Sequence, residues 1–133
     1  MLAEVVDEAC ATIVMVFDAV PGEPDLAEFV SWCRTRGIIT VAPSPDPDAG
    51  DPIDPEAVDV VVVPGLAFTP DGRRLGQGGG WYDRFLARTR PDCLGIGVAF
   101  DVQIVDDVPT EQHDVLLELV ITESGRVERA GTN

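Results

Sequence analysis

The sequence predicts an α/β fold with three layers: a mostly parallel, Rossmann-like sheet with flanking helices on both sides. Three observations carry that prediction. Apolar runs rich in Val and Ile recur at residues 11–17, 38–41, 58–63, 93–100 and 115–122, as strands buried on both faces do. Segments with helical spacing alternate with these runs. A glycine-rich loop follows the third run, and sheets of this class bind ligands beyond the carboxyl ends of their strands.

Taken in order, residues 2–9 are weakly amphipathic and predict a helical turn or two. Residues 11–17 form the first strand and 18–23 a loop. A helix is expected from Pro24, which suits a first helical position, with Asp25 in the first turn. Leu26, Phe29, Val30 and Cys33 repeat at helical spacing, and Gly37 closes the helix as its cap. Residues 38–41 are the second strand, expected to lie parallel to the first through a right-handed crossover. Prolines 43, 45, 47, 52 and 55 alternate with Asp46, Asp48, Asp51 and Asp54. This stretch lacks the order of a calcium-binding EF-hand and reads as a solvated linker. Residues 58–63 are the third strand. A helix over 80–89, with Tyr82, Phe85 and Leu86 facing inward, stops before Pro91. Residues 93–100 are the fourth strand, 101–114 a loop with a short helix, and 115–122 the fifth strand. A turn at 123–126 leads into a short extended piece near Val127.

The 133 residues, 45% hydrophobic, are expected to form one domain, 1–133, with a real core. No apolar run is long enough to cross a membrane. The first residues lack the basic region of a secretory signal, so a cytoplasmic location is expected. Cys10, Cys33 and Cys93 are odd in number and set among apolar neighbours, which predicts buried thiols without disulfides or zinc. Net charge is −15, with 24 acidic residues against nine basic ones, all arginine. That balance argues against nucleic acid and anionic membranes as partners. Five of the nine arginines, at 73, 74, 84, 88 and 90, share the window 73–90 with a single acid, Asp83. A basic island in an acidic chain points to a local anion site. For Arg88 and Arg90 the alternative is that they complement the carboxyl end of a helix.

The island lies beyond the third strand. Arg73 and Arg74 precede Gly76, Gly78, Gly79 and Gly80, and a helix opens at Trp81-Tyr82-Asp83-Arg84. Strand, glycine loop and helix start is an arrangement that cradles phosphate: glycines allow close backbone approach, and arginines add forked cationic donors. The loop has no Walker lysine, and its glycines lie too far past the strand for a dinucleotide fingerprint. From spacing alone, a flexible glycine turn without a ligand stays open.

The longer pattern is specific. The residues Val63-Pro64-Gly65-Leu66-Ala67-Phe68, then Gly72-Arg73-Arg74-Leu75-Gly76-Gln77-Gly78-Gly79-Gly80-Trp81-Tyr82-Asp83-Arg84, resemble the signature of the 5-formyltetrahydrofolate cyclo-ligase (methenyltetrahydrofolate synthetase) family. The flanks agree: Gly22-Glu23-Pro24-Asp25, Gly95 to Phe100 with Gln103 and Pro109, and His113-Asp114 with Val120-Ile121-Thr122. The resemblance covers about residues 12–123, as in a shortened member without the family's basic N-terminal helix.

The resemblance implies an ATP- and Mg²⁺-dependent closure of 5-formyltetrahydrofolate to 5,10-methenyltetrahydrofolate, with release of ADP and phosphate. It implies ATP contacts from Arg74, Gly76, Gln77, Gly78, Gly79, Gly80, Trp81 and Tyr82. Arg74 and Tyr82 would act in catalysis. Glu23, Gly78, Gly79, Gly80 and Trp81 would meet the reduced folate. Asp83 and Asp114 would hold Mg²⁺. Read without the resemblance, Asp83 also fits a first-turn helix acid, Glu23 a helix cap, Trp81 a core residue, and His113 a surface residue. A non-catalytic folate- or nucleotide-binding protein, and a module completed by a partner chain or by self-association as a homo-oligomer, are the alternatives.

Overall fold

The structure is a computed structural model that describes residues 1–43, 53–76, 80–110 and 114–127. Its centre is a six-stranded sheet ordered β2 (Ile39–Val41), β1 (Ile13–Met15), β3 (Val60–Val63), β6 (Leu94–Val98), β7 (Leu119–Thr122) and β8 (Gly125–Arg126). The first five run parallel, and β8 pairs antiparallel with β7. All four side chains of β3 are buried, which its unbroken Val run requires of a strand covered on both faces.

The alternation along β3 divides the core. Val60 and Val62 pack with Val5 and Val6 of α1 (Leu2–Glu8), and with Phe29, Val30 and Trp32 of α2 (Ala27–Thr35). Val61 and Val63 pack with Phe85 and Leu86 of α3 (Trp81–Leu86), and with Phe68 from a small antiparallel pair, β4 (Ala67–Phe68) with β5 (Arg74–Leu75). The chain therefore leaves β1 toward one face and β3 toward the other. The adjacent strands β1 and β3 form the topological switch point of the sheet, where ligands of such folds bind.

The predicted α/β plan, with helices on both faces, is the observed one. Several boundaries differ, each for a local reason. The helix expected from Pro24 begins at Ala27, whose N–H is accepted by Asp25 Oδ1 at 2.9 Å. Gly37 ends it as expected, in the left-handed region at φ 72°, with Ile38 N–H on the Cys33 carbonyl. The helix expected over 80–89 stops at Leu86, where the Thr89 hydroxyl takes the Leu86 carbonyl at 2.7 Å. The fifth strand pairs only from Leu119. Upstream, Leu117 N–H goes to the Gly72 carbonyl and Val115 N–H to Asp83 Oδ1. That half of the run holds the hairpin and α3. The β4–β5 pair was not expected, since two residues on each side leave no periodicity to read.

Asp59 fastens the amino-terminal ends of β1 and β3. Its carboxylate accepts Thr12 N–H at 2.8 Å, Thr12 Oγ1 at 2.9 Å, Ile13 N–H at 3.0 Å and Arg90 Nη2 at 2.7 Å. Arg90 also donates to the Glu56 carbonyl and to Asp92. It thus ties the approach to β6 onto the start of β3, with one donor on a carbonyl of the 3-10 turn Pro55–Ala57. Cys33 and Cys93 are buried, but Cys10 is exposed, with φ 53°. It sits in the turn that ends α1, so the expectation of three buried thiols fails there. The Pro/Asp linker lies largely outside the described residues. No helix among the described residues is long and apolar enough to cross a membrane.

Candidate active site

Arg74 lies on β5 with its side chain only 9% exposed. Its Nη1 donates to the carbonyl of Pro64, the residue after β3, at 3.1 Å. Its Nη2 stands 3.7 Å from Asp83 Oδ2 on α3, and its guanidinium lies 5.4 Å from the Tyr82 ring centroid, within cation–π range. Glycines make this placement possible. A Cβ on Gly76 would lie 2.7 Å from Arg74 Nη1, and one on Gly65 would lie 2.9 Å from Arg74 Cγ. Only bare backbone lets the side chain lie flat between them.

Burial lowers the pKa of Arg74, opposed by the charges of Asp83, Tyr82 and Asp114; the group stays a cation throughout the physiological range. Burial also raises the Tyr82 phenol, with Arg74 acting against that shift and Glu23 adding to it. Tyr82 is therefore a neutral hydroxyl at physiological pH, suited to donate a hydrogen bond and not to act as a phenolate base. Arg74 thus lies within electrostatic reach of Asp83, Tyr82 and Asp114, and Tyr82 within reach of Glu23. A cleft of about 160 Å³ is lined by Arg73, Arg74, Asp83, Thr110, Asp114 and Val115 among others.

Other sequence candidates fall as follows. Glu23 does not cap α2, whose first N–H, that of Ala27, is accepted by Asp25 Oδ1. Glu23 Oε1 accepts Val20 N–H at 3.0 Å in the loop after β1, on the other side of the switch point from Pro64. Trp81 is exposed, stacked on Phe85 at 5.2 Å and edge-on to Tyr82 at 4.9 Å. It is a surface aromatic with one face packed, not a core residue. Gly80 stands at the start of α3 in the left-handed region, φ 67°. With six residues α3 supplies little dipole, so the charge of this site is that of its side chains. Gln77, Gly78, Gly79 and His113 lie outside the described residues.

Arg73 differs from its neighbour. Its Nε donates to both oxygens of Asp71 at 3.1 Å, and its Nη1 pairs with Asp107. It lines the cleft with its charge already matched by two aspartates. Sequence reasoning missed Asp107, the Pro64 carbonyl, Thr110 and the Val115 N–H, all of which depend on approaches between distant segments.

Mg²⁺ fits the donor set. Among the described residues no group of three or more His, Cys, Asp or Glu could hold a metal ion. Mg²⁺ beside phosphates, however, needs only one or two carboxylates, the other positions going to water and phosphate oxygens. Asp83 and Asp114 offer such hard oxygens on one cleft.

A sequence model of the 5-formyltetrahydrofolate cyclo-ligase family matches residues 9–123. The chain is 39% identical over 85 residues to the 5-formyltetrahydrofolate cyclo-ligase of Escherichia coli K12, covering 60% of this chain and 44% of that protein. It is 39% identical over 82 residues to the mitochondrial 5-formyltetrahydrofolate cyclo-ligase of Arabidopsis thaliana, covering 54% and 30%. The matches thus span less than half the length of these relatives. Among solved structures, the 5,10-methenyltetrahydrofolate synthetase of Aquifex aeolicus superposes with a TM-score of 0.73 at 25% identity, covering 99% of this chain and 80% of that one. The 5,10-methenyltetrahydrofolate synthetase of Mycoplasma pneumoniae shares the fold, with a TM-score of 0.77 at 24% identity over 90% of this chain and 78% of that one. With the family pattern matched over residues 9–123 and its sheet superposing on solved structures of that fold, this chain belongs to the 5-formyltetrahydrofolate cyclo-ligase family.

Proposed function

We propose that the chain converts 5-formyltetrahydrofolate to 5,10-methenyltetrahydrofolate at the expense of ATP, with Mg²⁺ bound at Asp83 and Asp114. The observation that carries this reading is the buried Arg74 cation held opposite Asp83 and flanked by Gly65 and Gly76. A formamide is a poor electrophile. Transfer of the γ-phosphoryl group to the formyl oxygen, with departure of ADP, makes that oxygen a leaving group. N10 then attacks the formyl carbon, the ring closes and phosphate departs.

Such a transfer needs positioning and neutralisation of charge more than covalent help. Arg74 supplies a fixed cation whose position is set by Pro64, Tyr82 and the two flanking glycines. Mg²⁺ would neutralise charge on the transferring phosphates. Tyr82 offers its hydroxyl as a donor. Glu23, across the switch point, would accept N–H groups of a pterin, and the exposed Trp81 would offer a stacking face. Gln77, Gly78 and Gly79 complete the phosphate loop in this reading.

The test is incubation of the purified chain with 5-formyltetrahydrofolate, Mg²⁺ and ATP. Methenyl product should form in step with ADP and only when ATP is present; absence of product contradicts the proposal. The neutralised state of Arg73 favours one alternative, a non-catalytic nucleotide- or folate-binding protein. That alternative requires binding of Mg·ATP or of the folate without turnover.

A further inference from the structure

Gln103 belongs to the sequence pattern of this chain but lies outside the cleft lined by Arg74 and Asp83. It ends the 3-10 turn Asp101–Gln103 that follows β6. Its side-chain amide is used at both ends. Oε1 accepts Phe100 N–H at 2.8 Å, while Nε2 donates to the carbonyl of Gly65 at 3.0 Å and to that of Leu66 at 3.3 Å. The carbonyls of residues 64–66 are thereby divided between two side chains. Pro64 O receives Arg74 Nη1, and Gly65 O and Leu66 O receive Gln103.

The same three residues form the wall on which Arg74 rests. A Cβ on Gly65 would come within 2.9 Å of Arg74 Cγ and 3.2 Å of its Cδ, so the bare backbone there lies flush against the arginine stem. Leu66 N–H goes to the Leu75 carbonyl at 2.8 Å, joining this turn to the strand that carries Arg74. Rotating the peptides of the turn would move the Pro64 acceptor and the Gly65 surface together, and only Gln103 holds two of their carbonyls from the β6 side among the bonds described above.

We infer that Gln103 is a positioning residue for Arg74, acting through the Pro64–Gly65–Leu66 turn to fix the guanidinium that meets the nucleotide phosphates. The inference rests on the proposed function for the identity of the ligand, but not for the ordering of Arg74.

Gln103→Glu keeps the side-chain shape and replaces both donated hydrogen bonds with carboxylate–carbonyl repulsion; Gln103→Ala removes them. The readout is the Nε–Hε signal of Arg74 in a nitrogen-labelled sample without nucleotide, together with the Mg·ATP dissociation constant. The unsubstituted chain should show a resolved, slowly exchanging Arg74 signal. In the folded variants that signal should broaden or average, and Mg·ATP affinity should fall about three- to tenfold, the range for loss of one or two net hydrogen bonds. An Arg74 signal unchanged in a folded variant overturns the inference, as does a signal already averaged in the unsubstituted chain. If neither variant folds, the unsubstituted chain decides: a single ordered signal supports the inference and an averaged one overturns it. If the unsubstituted chain binds no Mg·ATP, the proposed function fails while the Arg74 signal still decides on Gln103.

Discussion

Arg74 and Asp83 face each other at 3.7 Å, side chains 9% and 19% exposed, at ion-pair but not hydrogen-bond distance. Each is oriented by a different partner. Arg74 is held by the Pro64 carbonyl, and Asp83 by the Val115 N–H through its other oxygen, at 3.2 Å. The pair is therefore not closed upon itself; in the proposed function phosphate oxygens would join the cation and Mg²⁺ the carboxylate. Asp83→Asn should leave the fold intact, lower turnover by about 10²–10³ and raise the Mg²⁺ concentration needed for half-maximal rate. Initial rates across a magnesium titration, with a chelator-treated control, check both effects.

Two glycines close to the site should behave in opposite ways. A Cβ at Gly76 meets only the far end of the Arg74 side chain, at 2.7 Å. Gly76→Ala should change stability by no more than about 0.5 kcal/mol and weaken Mg·ATP binding about tenfold, equivalent to about 1.4 kcal/mol. At Gly97 on β6 the Cβ meets Phe68 at 2.7 Å and Leu117 at 2.9 Å inside the core. Gly97→Ala should therefore destabilise the chain by about 1–3 kcal/mol through overpacking. Urea denaturation and nucleotide titration of both variants separate the two outcomes.

Asp59 gives the fold a defined acid limb. Burial alone would raise its pKa, but the hydrogen bond from Arg90 and those from Ile13 and Thr12 outweigh it and hold the carboxyl well below its ordinary 3.8. A carboxyl lowered in the folded state binds its proton more readily when unfolded. Its stabilising contribution is full above the ordinary value and is lost progressively as pH falls below it. Asp59→Asn should cost about 1–3 kcal/mol at neutral pH and flatten the loss of stability below pH 3.8. Thermal melts of both proteins across that range check the sign.

The thiols should divide by exposure. Cys10 is open to solvent, whereas Cys33 and Cys93 are buried, and burial pushes the Cys93 thiol up to about 11. In native protein a thiol-reactive dye should label Cys10 rapidly and the other two only on unfolding. Peptide mapping after a short pulse identifies the labelled position.

The parts of this molecule legible in its sequence are those set by local pattern. The Val run at 60–63 announces a strand buried on both faces, the spacing of Phe29, Val30 and Cys33 announces α2, and Gly37 announces its end. Arg74, Tyr82 and Asp83 stand out because they sit in one contiguous motif. What pattern could not show is the partition between neighbours. Arg73 and Arg74 look alike in the sequence, yet in extended backbone adjacent side chains point to opposite sides. One meets Asp71 and Asp107, and the other turns inward. Asp59 and Gln103 acquire their importance from segments dozens of residues away, which no local periodicity encodes.

The central claim is that Arg74 and Asp83 hold a nucleotide at the glycine loop. Calorimetric titration of Mg·ATP into the purified chain, repeated with Arg74→Ala, tests it most directly. The parent should bind saturably and the variant at least about tenfold more weakly, a loss of about 1.4 kcal/mol or more. Equal binding by both proteins, or none by the parent, would contradict it.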